Sequence, residues 1–251
     1  MSALHHQTYG ARGGFPVLLH HGLVGSSHVG SDWDAAARRA DVELIAVARP
    51  GYGRSAPVEM AAIADWPALV APVLKSQERY GVWGVSAGAP YACALAAVDH
   101  RVTAVAITSG LGHVADERVR QLYSNRSQQA FLFFRNGAAD DVCRYWYQTL
   151  TAALIDEPDD PGLRDSLAHN GAGPGREAVL QQRPWGFSFS EIAVPARLWH
   201  TRHDTMVPFA TAQHLADSIP GATLVEQYDS EHVPSLSTVS AALDFLAQSG
   251  R

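Results

Sequence analysis

The sequence predicts an α/β protein in which a mainly parallel, twisted sheet is flanked by helices. Short apolar runs rich in β-branched residues alternate with longer stretches of helical periodicity, the pattern of strands connected by helices. These runs are continuous rather than alternating in polarity, as expected for parallel strands that are buried on both faces. The chain has 251 residues, of which 47% are hydrophobic, enough for one domain with a substantial core.

Six strands are predicted from these runs, and a seventh near the N-terminus rests on a weaker pattern. The six cover residues 15–20, 42–47, 80–85, 102–108, 194–200 and 223–228, and the N-terminal strand lies near 5–9. Helical periodicity predicts helices around 63–77, 87–98, 209–218 and 235–248. Pro208 stands at the expected start of the third helix, and Pro220 with Gly221 marks its end.

The alternation of strands and helices stops between about residues 110 and 192. Here the sequence predicts two amphipathic helices, 118–135 and 140–154, and then a stretch rich in glycine, proline and aspartate at 157–175. We interpret residues 113–190 as a helical cap inserted into a core made of residues 1–112 and 191–251. Aromatic side chains are frequent in this segment, and for any one of them packing is favoured over contact with a substrate. They are Phe131, Phe133, Phe134, Tyr145, Trp146, Tyr147, Trp185, Phe187 and Phe189.

The clearest chemical motif reads Gly-Val-Ser-Ala-Gly at residues 84–88. It follows a predicted strand and opens a predicted helix, the setting of a nucleophile elbow. Small neighbouring residues let the chain turn sharply there and expose the serine hydroxyl, and a helix N-terminus favours developing negative charge. Ser86 is therefore the candidate nucleophile. A glycine-rich turn with an incidental serine is the alternative interpretation of the motif alone.

A serine nucleophile needs a base, and the base needs a carboxylate that orients it. Asp204 and His232 each follow a predicted strand, so both are expected at the carboxyl edge of the sheet together with Ser86. The chain order Ser, Asp, His is the order expected after such an elbow. Asp229 and Glu231 are nearer to His232 in sequence, but they share its short loop and would have to fold back to reach the imidazole. The sequence therefore predicts a Ser86–His232–Asp204 triad.

A second turn, His-Gly-Leu-Val-Gly-Ser at residues 21–26, follows the strand predicted at 15–20. Such a turn can present a backbone N–H to an oxyanion, together with the N–H of the residue after the nucleophile. We expect these two donors to be Leu23 and Ala87. The two glycines also shape the turn itself, which is compatible with that role.

Together these motifs resemble the α/β-hydrolase superfamily over nearly the whole chain. Residues 49–55, Arg-Pro-Gly-Tyr-Gly-Arg-Ser, are similar to the turn after the next strand in many members. The resemblance implies that this turn lies near the oxyanion site and that the insert is a lid. It also implies an esterase-like serine hydrolase that cleaves an ester, amide or related acyl bond of a small molecule through an acyl-enzyme. The aromatic residues of the insert suggest a substrate with an apolar part. A base without a cluster of metal ligands indicates that no cofactor is needed. Three positions depart from the family pattern: Ala48 replaces Asp, and Thr201 and Glu231 replace glycines.

Several other functions stay open at this point. Acyl transfer, C–C bond hydrolysis, lyase and perhydrolase chemistry use the same constellation, and a non-catalytic ligand-binding protein of this fold is a more distant alternative. Haloalkane and epoxide chemistry is disfavoured, since it uses a carboxylate where this chain has Ser86. A metal site at His200, His203 and Asp204 is disfavoured as well, because zinc needs three or four converging ligands and the sequence offers no matching cluster elsewhere.

Composition argues against several classes of partner. The net charge is −6 and no basic cluster occurs, so nucleic acid is not an expected partner. No apolar run approaches the length of a membrane span, and the first residues lack the pattern of an export signal, so we expect a cytoplasmic protein. Cys93 and Cys143 do not form a disulfide framework. The oligomeric state is left open.

Overall fold

A computed structural model describes residues 4–250 and contains a seven-stranded sheet. The strands are β1 His6–Gly10, β2 Phe15–His20, β3 Val42–Val47, β4 Tyr80–Val85, β5 Val102–Thr108, β6 Ala196–Thr201 and β7 Thr223–Gln227. Their order in the sheet is β1-β3-β2-β4-β5-β6-β7, with β1 antiparallel to β3 and the other neighbouring pairs parallel. The predicted mainly parallel sheet is confirmed.

Helices flank this sheet on both faces. The α-helices are α1 Ser31–Arg39, α2 Trp66–Val70, α3 Ala89–Val98, α4 Glu117–Arg120, α5 Asn125–Asn136, α6 Ala139–Asp156, α7 Pro161–Gln181, α8 Phe209–Ser218 and α9 Leu236–Gly250. α1 and α9 pack on one face, and α2, α3 and α8 pack on the other. The chain therefore has the layered architecture that the alternating pattern indicates.

Side chains along each strand alternate between the two core layers. Val17 and Leu19 of β2 pack in the layer with α9, whereas Leu18 packs in the layer with α3. Trp83 and Val82 of β4 divide in the same way. Because successive side chains of a strand point to opposite faces, a strand buried on both faces must be apolar throughout. This explains why the sequence shows continuous apolar runs.

Several predicted boundaries require correction. The helix predicted at 63–77 is a 3₁₀ turn, Ile63–Asp65, followed only by α2. The helix predicted at 118–135 is divided into α4 and α5, because the Ser124 hydroxyl accepts the Ser127 N–H and begins a new helix. β6 begins at Ala196 rather than 194, since Pro195 has no N–H to contribute to the sheet. Helix α1 was not predicted.

Residues 157–175 carry more helix than their composition indicates. Most of them belong to α7, whose chain kinks where residues 168–171 leave the helical conformation. Asp160 caps its first turn by accepting the Leu163 N–H at 2.6 Å. A Cβ atom on Gly175 would lie 2.5 Å from the Cα of Cys143 on α6. Glycine is needed in this helix for close packing against its neighbour, so its presence did not indicate a loop.

The insert between β5 and β6 contains α4 to α7, and α7 lies on the loops at the carboxyl edge of the sheet. The Ser166 hydroxyl accepts the Gly25 N–H at 3.1 Å. Further along α7, the Gln181 amide donates to the carbonyl of Ala87 at 3.4 Å. The end of the insert does not lie over these loops, because Trp185 is buried in the core layer that contains α3. The helical part of the insert is therefore next to the loops that follow β2 and β4.

The described part of the chain, residues 4–250, contains no helix that combines the length and the apolar character needed to cross a membrane. Cys93 is buried in α3 and Cys143 lies on α6, and both are free thiols.

Candidate active site

Ser86 lies at the sharp turn between β4 and the helix that follows. Its φ of 51° is in the left-handed region, which residues other than glycine seldom adopt. The flanking glycines are required by close contacts: a Cβ on Gly84 would lie 2.6 Å from the Cα of Ala89, and one on Gly88 would lie 2.2 Å from the carbonyl oxygen of His20. The backbone therefore holds the Ser86 side chain outward in a strained conformation, as in a nucleophile elbow.

The three residues predicted as a triad come together at the carboxyl edge of the sheet. The Ser86 Oγ lies 2.9 Å from Nε2 of His232, and the Nδ1 of His232 lies 2.8 Å from Oδ2 of Asp204. Asp204 comes from the loop after β6, and His232 comes from the loop after β7. Both distances are within hydrogen-bond range, so a proton can pass from the serine to the imidazole while the carboxylate holds the other ring nitrogen.

The Asp204 carboxylate is buried and receives hydrogen bonds on both oxygens. Its Oδ1 accepts the N–H groups of Met206 at 2.9 Å and Val207 at 2.8 Å. Its Oδ2 faces His232 and, at 3.2 Å, Nε2 of His200. Burial acts to raise the pKa of Asp204, but the contacts with His200, His232 and Val207 outweigh it and lower that pKa below the usual range. Asp204 is therefore ionised at neutral pH.

The two carboxylates closer to His232 in sequence point elsewhere. Asp229 accepts a hydrogen bond from the Ser237 hydroxyl, and its side chain is exposed. Glu231 is exposed as well. Asp204 is thus the carboxylate next to the imidazole, although 28 positions separate it from His232.

The candidate oxyanion donors flank Ser86. Gly22 lies so close that a Cβ on it would be 3.6 Å from the Cβ of Ser86. The N–H of the next residue, Leu23, donates to no backbone carbonyl within residues 4–250. Ala87 is the second residue of a short 3₁₀ helix, where the N–H has no acceptor inside the helix. Neither of the N–H groups predicted from the sequence therefore has a backbone acceptor within residues 4–250.

A buried ion pair supports the turn that contains Leu23. Arg49 forms a two-pronged contact with Glu177 of α7, with both N···O distances at 2.8 Å, and the two side chains are 1% and 4% exposed. Arg49 belongs to the motif at residues 49–55, but Glu177 was not predicted as part of the site. Its sequence neighbourhood is rich in glycine and proline, and only the fold reveals that Glu177 faces Arg49. Burial acts to lower the pKa of Arg49, but Glu177 outweighs it and raises that pKa.

A cavity of about 200 Å³ lies beside this ion pair. Arg49, Tyr91, Glu177 and Arg183 are among its lining residues, and Ser86 is not. Ser86 is itself partly exposed.

The alternative of a metal site has little geometric support. Among the residues described, no three side chains of His, Cys, Asp or Glu converge as metal ligands would. His200 uses its Nε2 for Val207 O at 2.8 Å and for Asp204.

Comparison with known proteins gives a consistent result. A family model for the alpha/beta hydrolase fold matches residues 16–237. An esterase from Exiguobacterium antarcticum is 16% identical with a TM-score of 0.69, and the match covers 98% of this chain and 94% of that one. An esterase from a Rhodococcus species is 20% identical, with coverage of 98% and 94% and a TM-score of 0.64. The enol-lactonase from Burkholderia xenovorans has the same identity and coverage, with a TM-score of 0.62. At such identities the structural likeness establishes the fold alone.

Proposed function

Because this chain belongs to the α/β-hydrolase family, we propose that it is a serine hydrolase that cleaves an ester or a related acyl bond of a small molecule. One observation carries the proposal: the Ser86 Oγ is 2.9 Å from a histidine nitrogen, and the other nitrogen of that ring is 2.8 Å from a buried carboxylate. A structural serine would not need a base that is oriented in this way.

In the proposed first half-reaction, the Ser86 Oγ attacks the carbonyl carbon of the substrate. His232 accepts the hydroxyl proton on Nε2, and the carboxylate of Asp204 stabilises the imidazolium through Nδ1. The carbonyl oxygen becomes an oxyanion and accepts hydrogen bonds from the N–H groups of Leu23 and Ala87. When the tetrahedral intermediate collapses, the proton on His232 passes to the leaving group, and the acyl group remains on Ser86.

The second half-reaction repeats these steps with water. His232 accepts a proton from a water molecule, which attacks the acyl carbon. The same two N–H groups stabilise the second oxyanion. Collapse of this intermediate releases the acid and returns the proton to Ser86, so one water is consumed and the catalyst is regenerated.

Exposed apolar side chains support a substrate with an apolar part. Val24, Met206 and Val233 are 41%, 63% and 73% exposed. Each is within two residues of a group assigned to the proposed mechanism, namely Leu23, Asp204 or His232. Apolar side chains are therefore exposed on the loops that carry the proposed site, which supports an apolar acyl or alcohol chain in the substrate. Two esterases and an enol-lactonase among the structural relatives are in line with an ester or lactone substrate.

We propose further that the insert, residues 113–190, acts as a lid that sets the choice of substrate. The contacts of α7 with Gly25 and Ala87 support this role, because they tie the insert to the two loops that flank Ser86. Many of its aromatic side chains pack among themselves, as Phe134 does with Trp146. Phe133 packs with Phe134 and Tyr145 as well, although it is partly exposed.

A fluorophosphonate probe tests the proposed function, since it reacts covalently with activated serines. We expect labelling and turnover of p-nitrophenyl esters by the wild type, and loss of both in Ser86→Ala, with kcat lower by several orders of magnitude. Ser109→Ala is a matched control, because Ser109 also has a positive φ after a strand but is fully buried. An unlabelled, inactive wild-type protein would instead indicate a non-catalytic binding protein.

A further inference from the structure

The peptide unit between Gly22 and Leu23 is held from the side opposite to the proposed oxyanion. The Gly22 carbonyl oxygen lies 2.9 Å from Nη2 of Arg49 and 2.7 Å from Nδ1 of His21. A trans peptide is planar, so its C=O and N–H point in opposite directions. Side chains that fix the Gly22 carbonyl therefore also fix the direction of the Leu23 N–H.

The tautomer of His21 agrees with this arrangement. Burial, and then the charge of Arg49, lowers the pKa of His21 well below its usual value, so the ring is neutral at pH 7. Its Nε2 accepts the backbone N–H of Arg49 at 3.3 Å, which leaves the proton on Nδ1. That proton can only be donated to the carbonyl of Gly22, which thus receives two hydrogen bonds.

The carbonyl on the other side of Leu23 is held as well. The Tyr52 hydroxyl lies 2.8 Å from the Leu23 carbonyl oxygen and 3.1 Å from Oε2 of Glu177. Arg49 contacts both oxygens of the same carboxylate. Glu177 therefore holds Arg49 through two hydrogen bonds and also contacts Tyr52, whose single hydroxyl proton is shared between the nearer Leu23 carbonyl and Oε2 of Glu177.

We propose that Glu177 of α7 is a positioning residue for the oxyanion hole, because it orients Arg49 and Tyr52, which in turn aim the Leu23 N–H at the oxygen of the substrate. This inference rests on the proposed serine hydrolysis. It gives the insert a part in the chemical step in addition to its proposed role as a lid. Arg49 also bears a charge on the carbonyl side of the peptide, which polarises the unit and strengthens its N–H as a donor.

A purely structural role predicts a different result. A buried ion pair contributes little net stability as a rule, although removing one partner is costly. If Glu177 only stabilised the fold, its loss would lower the melting temperature and leave kcat of the folded protein unchanged. If it positions the oxyanion hole, its loss lowers kcat and leaves KM nearly constant, because the N–H acts mainly in the transition state.

Tyr52→Phe and Glu177→Gln test the inference on p-nitrophenyl ester turnover. Removing an oxyanion donor costs about 10²–10³ in kcat, so a donor that is present but badly aimed should cost about tenfold. We expect that loss in both variants, with KM within about twofold of the wild type and the affinity for an alkylboronic acid, which forms a tetrahedral adduct on serine, reduced in parallel. Glu177→Gln tests Glu177 itself, and kcat is measured below its melting temperature so that only folded protein is compared. Tyr52→Phe removes one oxygen atom and keeps the ring, so it tests separately the contact between Tyr52 and the Leu23 carbonyl.

The chain offers a matched control far from Ser86. Tyr80 donates to Asp99 at 2.7 Å, and Asp99 pairs with Arg101, so this cluster has the same three chemical groups. It lies at the opposite end of β4 from Ser86. Tyr80→Phe should lower stability and leave kcat and boronic acid affinity unchanged.

The outcomes separate this inference from the proposed function. A wild type that neither turns over esters nor reacts with a fluorophosphonate would overturn both. An active wild type with unchanged kcat in folded Glu177→Gln, or an equal loss in Tyr80→Phe, would overturn only the positioning role of Glu177.

Discussion

His200 Nε2 lies 3.2 Å from Oδ2 of Asp204, the same oxygen that His232 Nδ1 approaches to 2.8 Å. Two histidines therefore share one carboxylate oxygen. His200 is 1% exposed, and its Nε2 is also 2.8 Å from the carbonyl oxygen of Val207. Since that carbonyl only accepts, the proton of His200 must be on Nε2, where it also faces the carboxylate. His200 thus packs against the Asp204 carboxylate while it donates to the Val207 carbonyl.

Loss of this donor should weaken catalysis. The nearest acceptor of the His200 Nε2–H is Val207 O, and Asp204 is its second, longer contact, so the loss is that of an ordinary hydrogen bond, about 0.5–1.5 kcal/mol, where each 1.4 kcal/mol is about tenfold in rate. We predict that His200→Leu lowers kcat for p-nitrophenyl esters by about twofold to tenfold. His200→Gln should retain most of the activity, because its amide nitrogen can occupy nearly the same place as Nε2. Equal kcat values in these two variants would contradict a role for the shared proton.

The Asp204 carboxylate should matter far more for catalysis than a carboxylate that lies near His232 in sequence. Asp204→Asn is expected to lower kcat by about 10⁴, because an amide no longer selects the imidazole tautomer that can accept the serine proton. Asp229→Asn is the matched control, since Asp229 contacts Ser237 rather than His232. We expect it to change kcat by less than about twofold. A severe loss of kcat in Asp229→Asn and a mild one in Asp204→Asn would show that Asp229, rather than Asp204, orients His232.

Strands were the part of the fold that the sequence predicted best. β2, β3, β4 and β5 have the predicted bounds, because a strand buried on both faces must be apolar along its whole length. Helix α1 was missed although its polar and apolar sides are well separated, because it has only nine residues and buries only two small ones, Ala36 and Ala37. In α7 the glycines that permit close packing resembled those of a loop.

Some residues of the site could be predicted from the sequence, and others could not. The positions of Ser86, Asp204 and His232 could be predicted because each follows a strand, and parallel strands bring their carboxyl ends to one edge. The proposed positioning role of Glu177 could not be predicted, because it depends on a contact with Arg49, which is 128 positions away in the sequence. Nothing in local periodicity marks which charged residue of a helix will be buried against a partner.

Stability should fall in acid through a buried histidine. Burial, and then the charge of Arg49, lowers the pKa of His20 from 6.5 to about 3. Unfolding therefore takes up a proton between those values, so the free energy of unfolding decreases as pH falls from about 6.5 to about 3, by up to about 1.4 kcal/mol per pH unit. We predict a shallower pH dependence for His20→Asn in urea denaturation. Identical slopes in the two proteins would contradict a neutral, buried His20.

The last prediction concerns the packing that forms the elbow. Gly88 has an ordinary φ of −76°, so any defect in Gly88→Ala must come from the added methyl group rather than from backbone strain. That Cβ would lie 2.2 Å from the His20 carbonyl oxygen, which belongs to the end of β2 and cannot move without disturbing the sheet. We expect a loss of stability of about 1–3 kcal/mol, and a drop in kcat of at least tenfold as Ser86 shifts from His232. Gly30→Ala is the control, since its φ is −64° and no atom lies within 4 Å of the new Cβ. Thermal denaturation and ester turnover check both variants, and a Gly88→Ala protein as stable and active as Gly30→Ala would show that the elbow tolerates a larger residue.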